Sequence, residues 1–153
     1  MNNSQQPSRP FTKPSALDRF VNRAFGLLIR LGFGLPHNYL LEVRGRKSGR
    51  RYSTPVNLLE INGKRYLVAP RGYTQWVRNV LAGGEASLMK GSKGQGVYLR
   101  PIADESKPEI LKTYLDRYRT TVQRYFPVQA GSPPEAFQAL LAKYPVFEVV
   151  AKQ

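Results

Sequence analysis

Residues 44–51, Arg-Gly-Arg-Lys-Ser-Gly-Arg-Arg, carry five cations in eight positions, together with two glycines and a serine. Gly45 and Gly49 let the backbone approach a ligand closely, so that N–H groups and the Ser48 hydroxyl can bind an anion. The neighbouring arginines and Lys47 would neutralise its charge through charge-assisted hydrogen bonds. This combination indicates a loop that binds phosphate. Composition alone leaves a solvated basic turn or a non-specific nucleic-acid patch as the alternative.

A second group of candidate binding residues begins where a predicted strand ends, at Ala69-Pro70-Arg71. The strand end supplies backbone groups and another cation. Trp76 and Asn79 follow on a predicted short helix, three residues apart, so an indole ring and an amide point the same way. The alternative is that Trp76 fills the core and Asn79 lies at the surface.

Composition bounds the class of protein. The chain has 153 residues, 41% of them hydrophobic, and a formal net charge of +14, which predicts one domain with a real core and an anionic partner. The absence of cysteine excludes disulfides and thiolate sites. His37, the only histidine, has no second ligand for a metal and is expected to be exposed, with a role near the mouth of the binding site as the alternative. No apolar run reaches about 18 residues and no signal peptide is recognisable, which predicts a cytoplasmic protein.

The N-terminal segment divides into two parts. Residues 1–14 are polar and proline-rich, and we expect a disordered tail. From Ser15, apolar residues that include Ala24 recur at helical spacing with arginines on the other face, which predicts an amphipathic helix. This helix is expected to pack on its own domain, residues 15–153, although peripheral contact with an anionic membrane is the alternative.

After Pro36 the pattern favours β-structure. Six short strands are predicted, over residues 39–44, 52–61, 64–69, 86–90, 97–102 and 146–150. Asn62-Gly63 predicts a tight hairpin, Pro55 predicts a sheet edge or a bulge, and the glycines at 91, 94 and 96 predict a flexible turn.

Helices are predicted between these strands. They cover residues 75–82, capped by Thr74, and then residues 106–125 and 133–143, each beginning with a capping box. The boxes pair Ser106 with Glu109 and Ser132 with Glu135. About six antiparallel strands with flanking helices predict an α+β domain around a small barrel or a strongly curved sheet.

Several motifs occur in a fixed order between residues 36 and 150. They are the Gly-Arg-Lys-Ser-Gly-Arg loop, Ser53-Thr54-Pro55, Tyr66-Leu67-Val68-Ala69, Trp76 followed by Asn79, and Pro145-Val146-Phe147. In this order the chain resembles the deazaflavin-dependent nitroreductase family of oxidoreductases. The resemblance implies a split β-barrel of the kind that binds FMN or oxidises pyridoxamine phosphate. It also implies the use of reduced coenzyme F420, whose tricyclic ring donates hydride and whose tail carries a phosphodiester and several glutamates.

The resemblance implies a binding site for this coenzyme. The residues implied to surround the phosphate and the acidic tail are Gly45, Arg46, Lys47, Ser48, Gly49 and Arg51. The residues implied to line the ring and its linker are Pro55, Val68, Ala69, Arg71, Trp76 and Asn79. Relatives commonly have Ser-Lys-Gly after the third strand, whereas Pro70-Arg71-Gly72 keeps the cation and lacks the hydroxyl and one backbone donor.

The implied reaction is hydride transfer to a small electron-poor substrate such as a quinone, an enone or a nitroaromatic compound. Tyr114 and Tyr118 lie one helical turn apart and are candidates to line the substrate pocket and supply a proton. Amphipathic packing is the alternative role of these tyrosines.

Other functions stay open at this point. The same barrel could use FMN, or the domain could carry a deazaflavin, FMN or a lipid without catalysis, with its first helix on a membrane. Specific nucleic-acid binding is disfavoured, because the aromatic residues lie in apolar strand and helix patterns. Monomer and homodimer are both compatible with the sequence.

Overall fold

The computed structural model describes residues 34–153 and, nearer the N-terminus, Arg19, Arg23, Ala24 and Gly26. These four residues are helical; Gly26 is buried and the other three are exposed, including Ala24, which was expected on the apolar face. The rest of the predicted N-terminal helix and the predicted tail over residues 1–14 lie outside the described residues.

The described strands form a closed six-stranded barrel. They are β1 (Asn38–Arg44), β2 (Arg51–Ile61), β3 (Lys64–Val68), β4 (Glu85–Lys90), β5 (Lys93–Pro101) and β6 (Val146–Ala151). Around the barrel the order is β1-β2-β3-β6-β5-β4, and every neighbouring pair is antiparallel. This architecture confirms the predicted split β-barrel.

β2 changes its partner halfway along its length. Asn57 is its last residue in register with β1, and Leu58 is its first in register with β3. Residues 51–57 therefore pair on one side only, and the sheet opens along their free edge. Pro55 lies within this stretch opposite Leu40, in an unbroken register, so the predicted edge is confirmed and there is no bulge.

The hydrogen bonds that flank the β1–β2 ladder show which way Pro55 faces. Gly45 N–H donates to Arg50 O (2.7 Å), and Leu58 N–H donates to His37 O (2.8 Å). Because bonding positions alternate along an antiparallel ladder, even-numbered residues of β2 bond to β1 and odd-numbered ones face away. The nitrogen of Pro55 thus lies on the free edge, where its missing N–H costs no ladder bond.

The two hairpin predictions have different outcomes. Asn62 (φ 51°) and Gly63 (φ 79°) form the predicted tight turn. Of the glycines predicted to form a turn, Gly91 (φ 59°) lies in one, whereas Gly94 and Gly96 lie in β5, opposite Met89 and Ser87. A Cβ on Gly94 would lie 2.6 Å from Met89 Sδ, so this glycine gives the methionine room within the pair of strands.

The helices lie between the strands. They are α1 (Gln75–Gly83), α2 (Lys107–Val122) and 3-10 helices at Asp104–Ser106, Gln123–Tyr125 and Pro134–Lys143. The predicted side-chain caps are wrong: neither Thr74 nor Ser106 makes a capping hydrogen bond, and Pro133 takes the cap position expected for Ser132. α2 is interrupted at Tyr118 (φ −112°, ψ 22°), and the last turn predicted for it is 3-10 helix.

Two hydrophobic clusters form the core. One draws residues from all six strands and α1, and the other joins α2 and the last 3-10 helix to the barrel. Leu67 belongs to the first cluster and its neighbour Val68 to the second. Successive residues of β3 thus face opposite sides, as in any strand between two packed layers.

Candidate functional site

A cavity of about 670 Å³ opens along the free edge of β2. Its walls come from residues 52–57 of β2, the end of β3, the start of α1, the segment before β1, and α2 with the 3-10 helix that follows it. Its volume lies within the range of about 300–1,000 Å³ that is typical of small-molecule sites. The cavity therefore lies beside the stretch of β2 that pairs on one side only, before the strand changes its partner.

Five of the residues implied to line the coenzyme ring lie on the wall of this cavity. They are Pro55, Val68, Ala69, Arg71 and Trp76. Trp76 is half-buried and packs against Phe147, with ring centroids 5.7 Å apart. The half of the cavity that these five residues line thus combines apolar walls with one cation.

The β1–β2 turn has a compact backbone beside the cavity. Gly49 (φ 71°) donates from N–H to Gly45 O (2.9 Å), and Arg50 N–H donates to Ser48 Oγ (3.2 Å). A Cβ on Gly45 would lie 2.7 Å from the Tyr52 ring. Glycine at 45 thus leaves room for the Tyr52 ring, and glycine at 49 suits the left-handed backbone.

The implied tail-binding residues lie in this turn or directly after it, and none of them lines the cavity. They are Gly45, Arg46, Lys47, Ser48, Gly49 and Arg51. The turn adjoins the cavity through two lining residues, Tyr52 and Gln75. Arg46 Nη1 donates to Gln75 Oε1 (3.0 Å). The turn therefore lies at the rim of the cavity.

Asn79 connects α1 to the turn through hydrogen bonds. Its Oδ1 accepts hydrogen bonds from Arg46 N–H (3.1 Å) and Arg46 Nη1 (2.8 Å), and the residue is only 7% exposed. Asn79 does not line the cavity, and its amide oxygen is already occupied. The structure thus places Asn79 as a brace between α1 and the turn, away from the expected position beside the ring.

Cations at the rim are exposed. Lys47, Arg50 and Arg51 lie on the surface, and within the described part of the chain no carboxylate forms an ion pair with them. Their charge is therefore available to a ligand whose anionic group reaches past Tyr52.

Thr74 lies on the wall between Arg71 and α1. Its Oγ1 is buried and has no hydrogen-bond partner among the described residues. A buried hydroxyl without a partner costs about 1–3 kcal/mol.

Tyr114 is a buried polar residue in the opposite half of the cavity, which is lined by α2 and by the segment before β1. It is 2% exposed, lines the cavity and hydrogen-bonds to Asn57, which also lines it. Burial raises the pKa of Tyr114 far above its usual range. Its hydroxyl therefore keeps its proton at all physiological pH values.

Tyr118 has a different environment from Tyr114. Its hydroxyl donates to Leu58 O (2.7 Å), and the residue does not line the cavity. The two rings meet edge to face, with centroids 5.3 Å apart. The predicted pair is thus close together, but only Tyr114 faces the cavity, and Tyr118 ties α2 to β2.

His37 is not simply exposed, as was expected, and its position agrees with the alternative that places it near the mouth of the site. The residue is half-buried, lines the cavity and stacks on Tyr118, with ring centroids 4.3 Å apart and an interplanar angle of 28°. Burial, and then the charge of Lys90, lower the pKa of His37. The neighbouring Pro36 and Asn38 predict a loop at His37. They give no sign of the stacking, because Tyr118 lies on α2, far along the chain.

The described residues contain neither a metal-binding cluster nor a helix able to cross a membrane. No group of three or more histidine, cysteine, aspartate or glutamate side chains is placed to hold a metal ion within this part of the chain. In the same part, no helix combines the length and the apolar character needed to cross a membrane.

Comparison of structures places the fold. The fold resembles that of the F420-H2-dependent reductase FDR-A (24% identity, TM-score 0.50), and the match covers 74% of this chain and 94% of that one. It also resembles the heme storage protein HutZ from Vibrio cholerae (9% identity, TM-score 0.54), covering 91% and 92% of the two chains. A proposed pyridoxamine 5′-phosphate oxidase from Listeria innocua (13% identity, TM-score 0.52) covers 76% of this chain and is itself covered over 85% of its length. These likenesses establish the split barrel.

Comparison of sequences places the family. No curated protein matches the chain. The model of the F420H(2)-dependent quinone reductase family matches residues 18–131 of the 153. This match spans the cationic turn, the free edge of β2, the end of β3, α1 and α2. The chain therefore belongs to the F420H(2)-dependent quinone reductase family, whose cofactor is coenzyme F420.

Proposed function

We propose that this protein uses reduced F420 to reduce a small, planar, electron-poor compound, and that a quinone is the first substrate class to test. One observation carries the proposal. An apolar cavity whose lining includes the cation Arg71 opens beside a turn of exposed cations. The coenzyme joins a tricyclic ring to a phosphodiester and a chain of carboxylates. The two ends of the ligand thus match the two ends of the site.

The residues present fit this coenzyme. Val68, Ala69 and Trp76 offer apolar contact for a flat ring. Lys47 and the arginines of the turn offer charge-assisted hydrogen bonds to phosphate and carboxylate oxygens.

The protein's contribution to the reaction is positioning and electrostatics. When bound, reduced F420 supplies the hydride. We assign the opposite half of the cavity, which includes Tyr114 and Asn57, to the substrate. The Tyr114 hydroxyl holds its proton and acts as a hydrogen-bond donor to a substrate oxygen, and its raised pKa makes it a poor proton source. The proton required by the product then comes from solvent.

Titration with reduced F420 tests the proposal directly. Trp76 is the only tryptophan and lines the cavity, so quenching of its fluorescence reports binding there. We expect micromolar affinity, followed by return of the oxidised deazaflavin absorbance when menadione is added. Absence of binding at micromolar coenzyme would refute the proposal.

The same assays separate the alternatives. Tighter binding of FMN than of F420, with a yellow protein on purification, would favour a flavin. Coenzyme binding without turnover of quinones, enones or nitroaromatic compounds would instead indicate a non-catalytic carrier. Nothing in the geometry of the described residues favours either alternative over the reductase.

A further inference from the structure

The segment before β1 forms one wall of the substrate half of the cavity and is held by Lys90 of β4. Lys90 Nζ donates to Leu35 O (2.6 Å), Pro36 O (2.9 Å) and Asn38 O (3.0 Å). An ammonium group has three N–H donors, so this one is fully used. The side chain also lies 5.0 Å from the centroid of the Tyr39 ring. One side chain thus fixes the path of the backbone on both sides of His37.

His37 is held at both ends. Its carbonyl accepts the Leu58 N–H (2.8 Å), and its ring stacks on Tyr118. Tyr118 is in turn anchored to Leu58 O (2.7 Å). Because one face of the imidazole is covered by Tyr118 and the residue lines the cavity, the uncovered part of the ring is available to a ligand.

We propose that His37 contacts the substrate, as a stacking surface and hydrogen-bond donor for a neutral planar carbonyl compound, and that Lys90 is the positioning residue that holds it there. The inference rests on the proposed function, because it assigns this half of the cavity to the substrate. Tyr114 and Asn57 lie in the same half, so His37 adds a third polar contact to a wall that includes the apolar Leu35.

The chemistry of the imidazole favours an uncharged ligand. Burial and the Lys90 ammonium lower the pKa of His37, so the ring is neutral at pH 7 and carries one N–H. A neutral N–H donates to a carbonyl oxygen without attracting a counterion. The Lys90 ammonium group donates to three backbone carbonyl oxygens, so its role is to hold the segment and not to bind the ligand.

Kinetics with menadione at saturating reduced F420 test the assignment. His37→Phe keeps an aromatic ring beside Tyr118 and removes the N–H, and Lys90→Met removes the three backbone contacts. We expect each variant to raise KM for menadione about three- to tenfold, the worth of roughly one hydrogen bond, and to leave the Kd of F420 within about twofold. The matched control is Lys93→Met, which removes an exposed lysine from the same hairpin and should change neither constant.

A double-mutant cycle distinguishes positioning from general destabilisation. If Lys90 acts through His37, the variant with both substitutions has a KM close to that of His37→Phe alone. Multiplicative effects, or an unchanged KM in His37→Phe, would overturn the inference. If Lys90→Met does not fold, Lys90→Arg replaces it, since a guanidinium can still donate to carbonyl oxygens and a near-normal KM is then expected.

Failure of the inference can be told apart from failure of the proposed function. Binding of menadione without coenzyme is measured by quenching of Trp76 fluorescence. If the wild type binds menadione and His37→Phe binds it at least threefold more weakly, the contact stands even where no turnover is seen. If both bind equally, the contact is refuted whatever the turnover.

Discussion

Asn79 offers the sharpest perturbation of the site, because a buried amide oxygen receives two hydrogen bonds from one residue of the turn. Asn79→Leu removes the acceptor while keeping a side chain of similar size. The backbone bond from Arg46 is worth about 0.5–1.5 kcal/mol, and a bond from a charged group about 1.5–3 kcal/mol. Arg46 is exposed, so the second figure has to be discounted for solvent screening. We expect a total loss of about 1–3 kcal/mol in the free energy of unfolding.

Urea denaturation measures this loss, and coenzyme titration measures its functional effect. A turn that is no longer braced must be ordered on binding, so we expect the Kd for F420 to rise about five- to tenfold. Asn79→Asp keeps an oxygen that can accept both hydrogen bonds and is the matched control. Gln75→Ala removes one exposed bond and should cost about 0.5 kcal/mol or less.

Two outcomes would refute this interpretation of Asn79. The first is an Asn79→Leu variant that is as stable as the wild type. The second is an equal loss of affinity for F420 and for the bare deazaflavin that lacks the anionic tail. The second result would show that Asn79 contacts the ring, as the family resemblance implies, and not the turn.

Two further predictions concern buried hydroxyl groups. Thr74→Val removes a buried hydroxyl without a partner and should stabilise the ligand-free protein by about 1 kcal/mol in urea denaturation; a destabilised variant would contradict this. Thr121→Val is the contrast and should be destabilised, because the Thr121 hydroxyl donates to Tyr118 O (3.1 Å). Burial raises the pKa of Tyr114, so the stability it contributes is complete below about pH 10, the unfolded value, and falls as the pH rises further. Tyr114→Phe should flatten this alkaline decline in urea denaturation and the exposed control Tyr98→Phe should not; equal declines in both would contradict the assignment.

The strands could be predicted because their signals are local. Alternating apolar residues mark each strand, and Asn62-Gly63 marks a turn that needs two left-handed residues. Pro55 marked the edge correctly, since only a free side of a sheet accepts a residue without an N–H. The boundaries of the six strands consequently lie close to the predicted ones, except at the start of β5.

The misplaced features depend on contacts between distant segments. Gly94 and Gly96 read locally as a turn, and only pairing with β4 shows them to be strand residues that make room for a neighbour. The roles of Asn79 and His37 depend on Arg46 and Tyr118, which lie far away along the chain. Thr74 and Ser106 have the residue types of caps, but their side chains accept no hydrogen bond from the helices that follow.

The central claim is that the cationic turn binds the anionic tail of F420 while the cavity holds its ring. The most direct test compares the affinities of Lys47→Ala and the wild type for F420 and for the same deazaflavin without its phosphodiester and glutamates. Lys143→Ala removes an exposed lysine far along the chain and makes the same change in net charge. We predict that Lys47→Ala weakens F420 binding about five- to twentyfold at low salt and leaves binding of the tail-less compound unchanged. An equal effect on both ligands, or an effect no larger than that of Lys143→Ala, would contradict the claim.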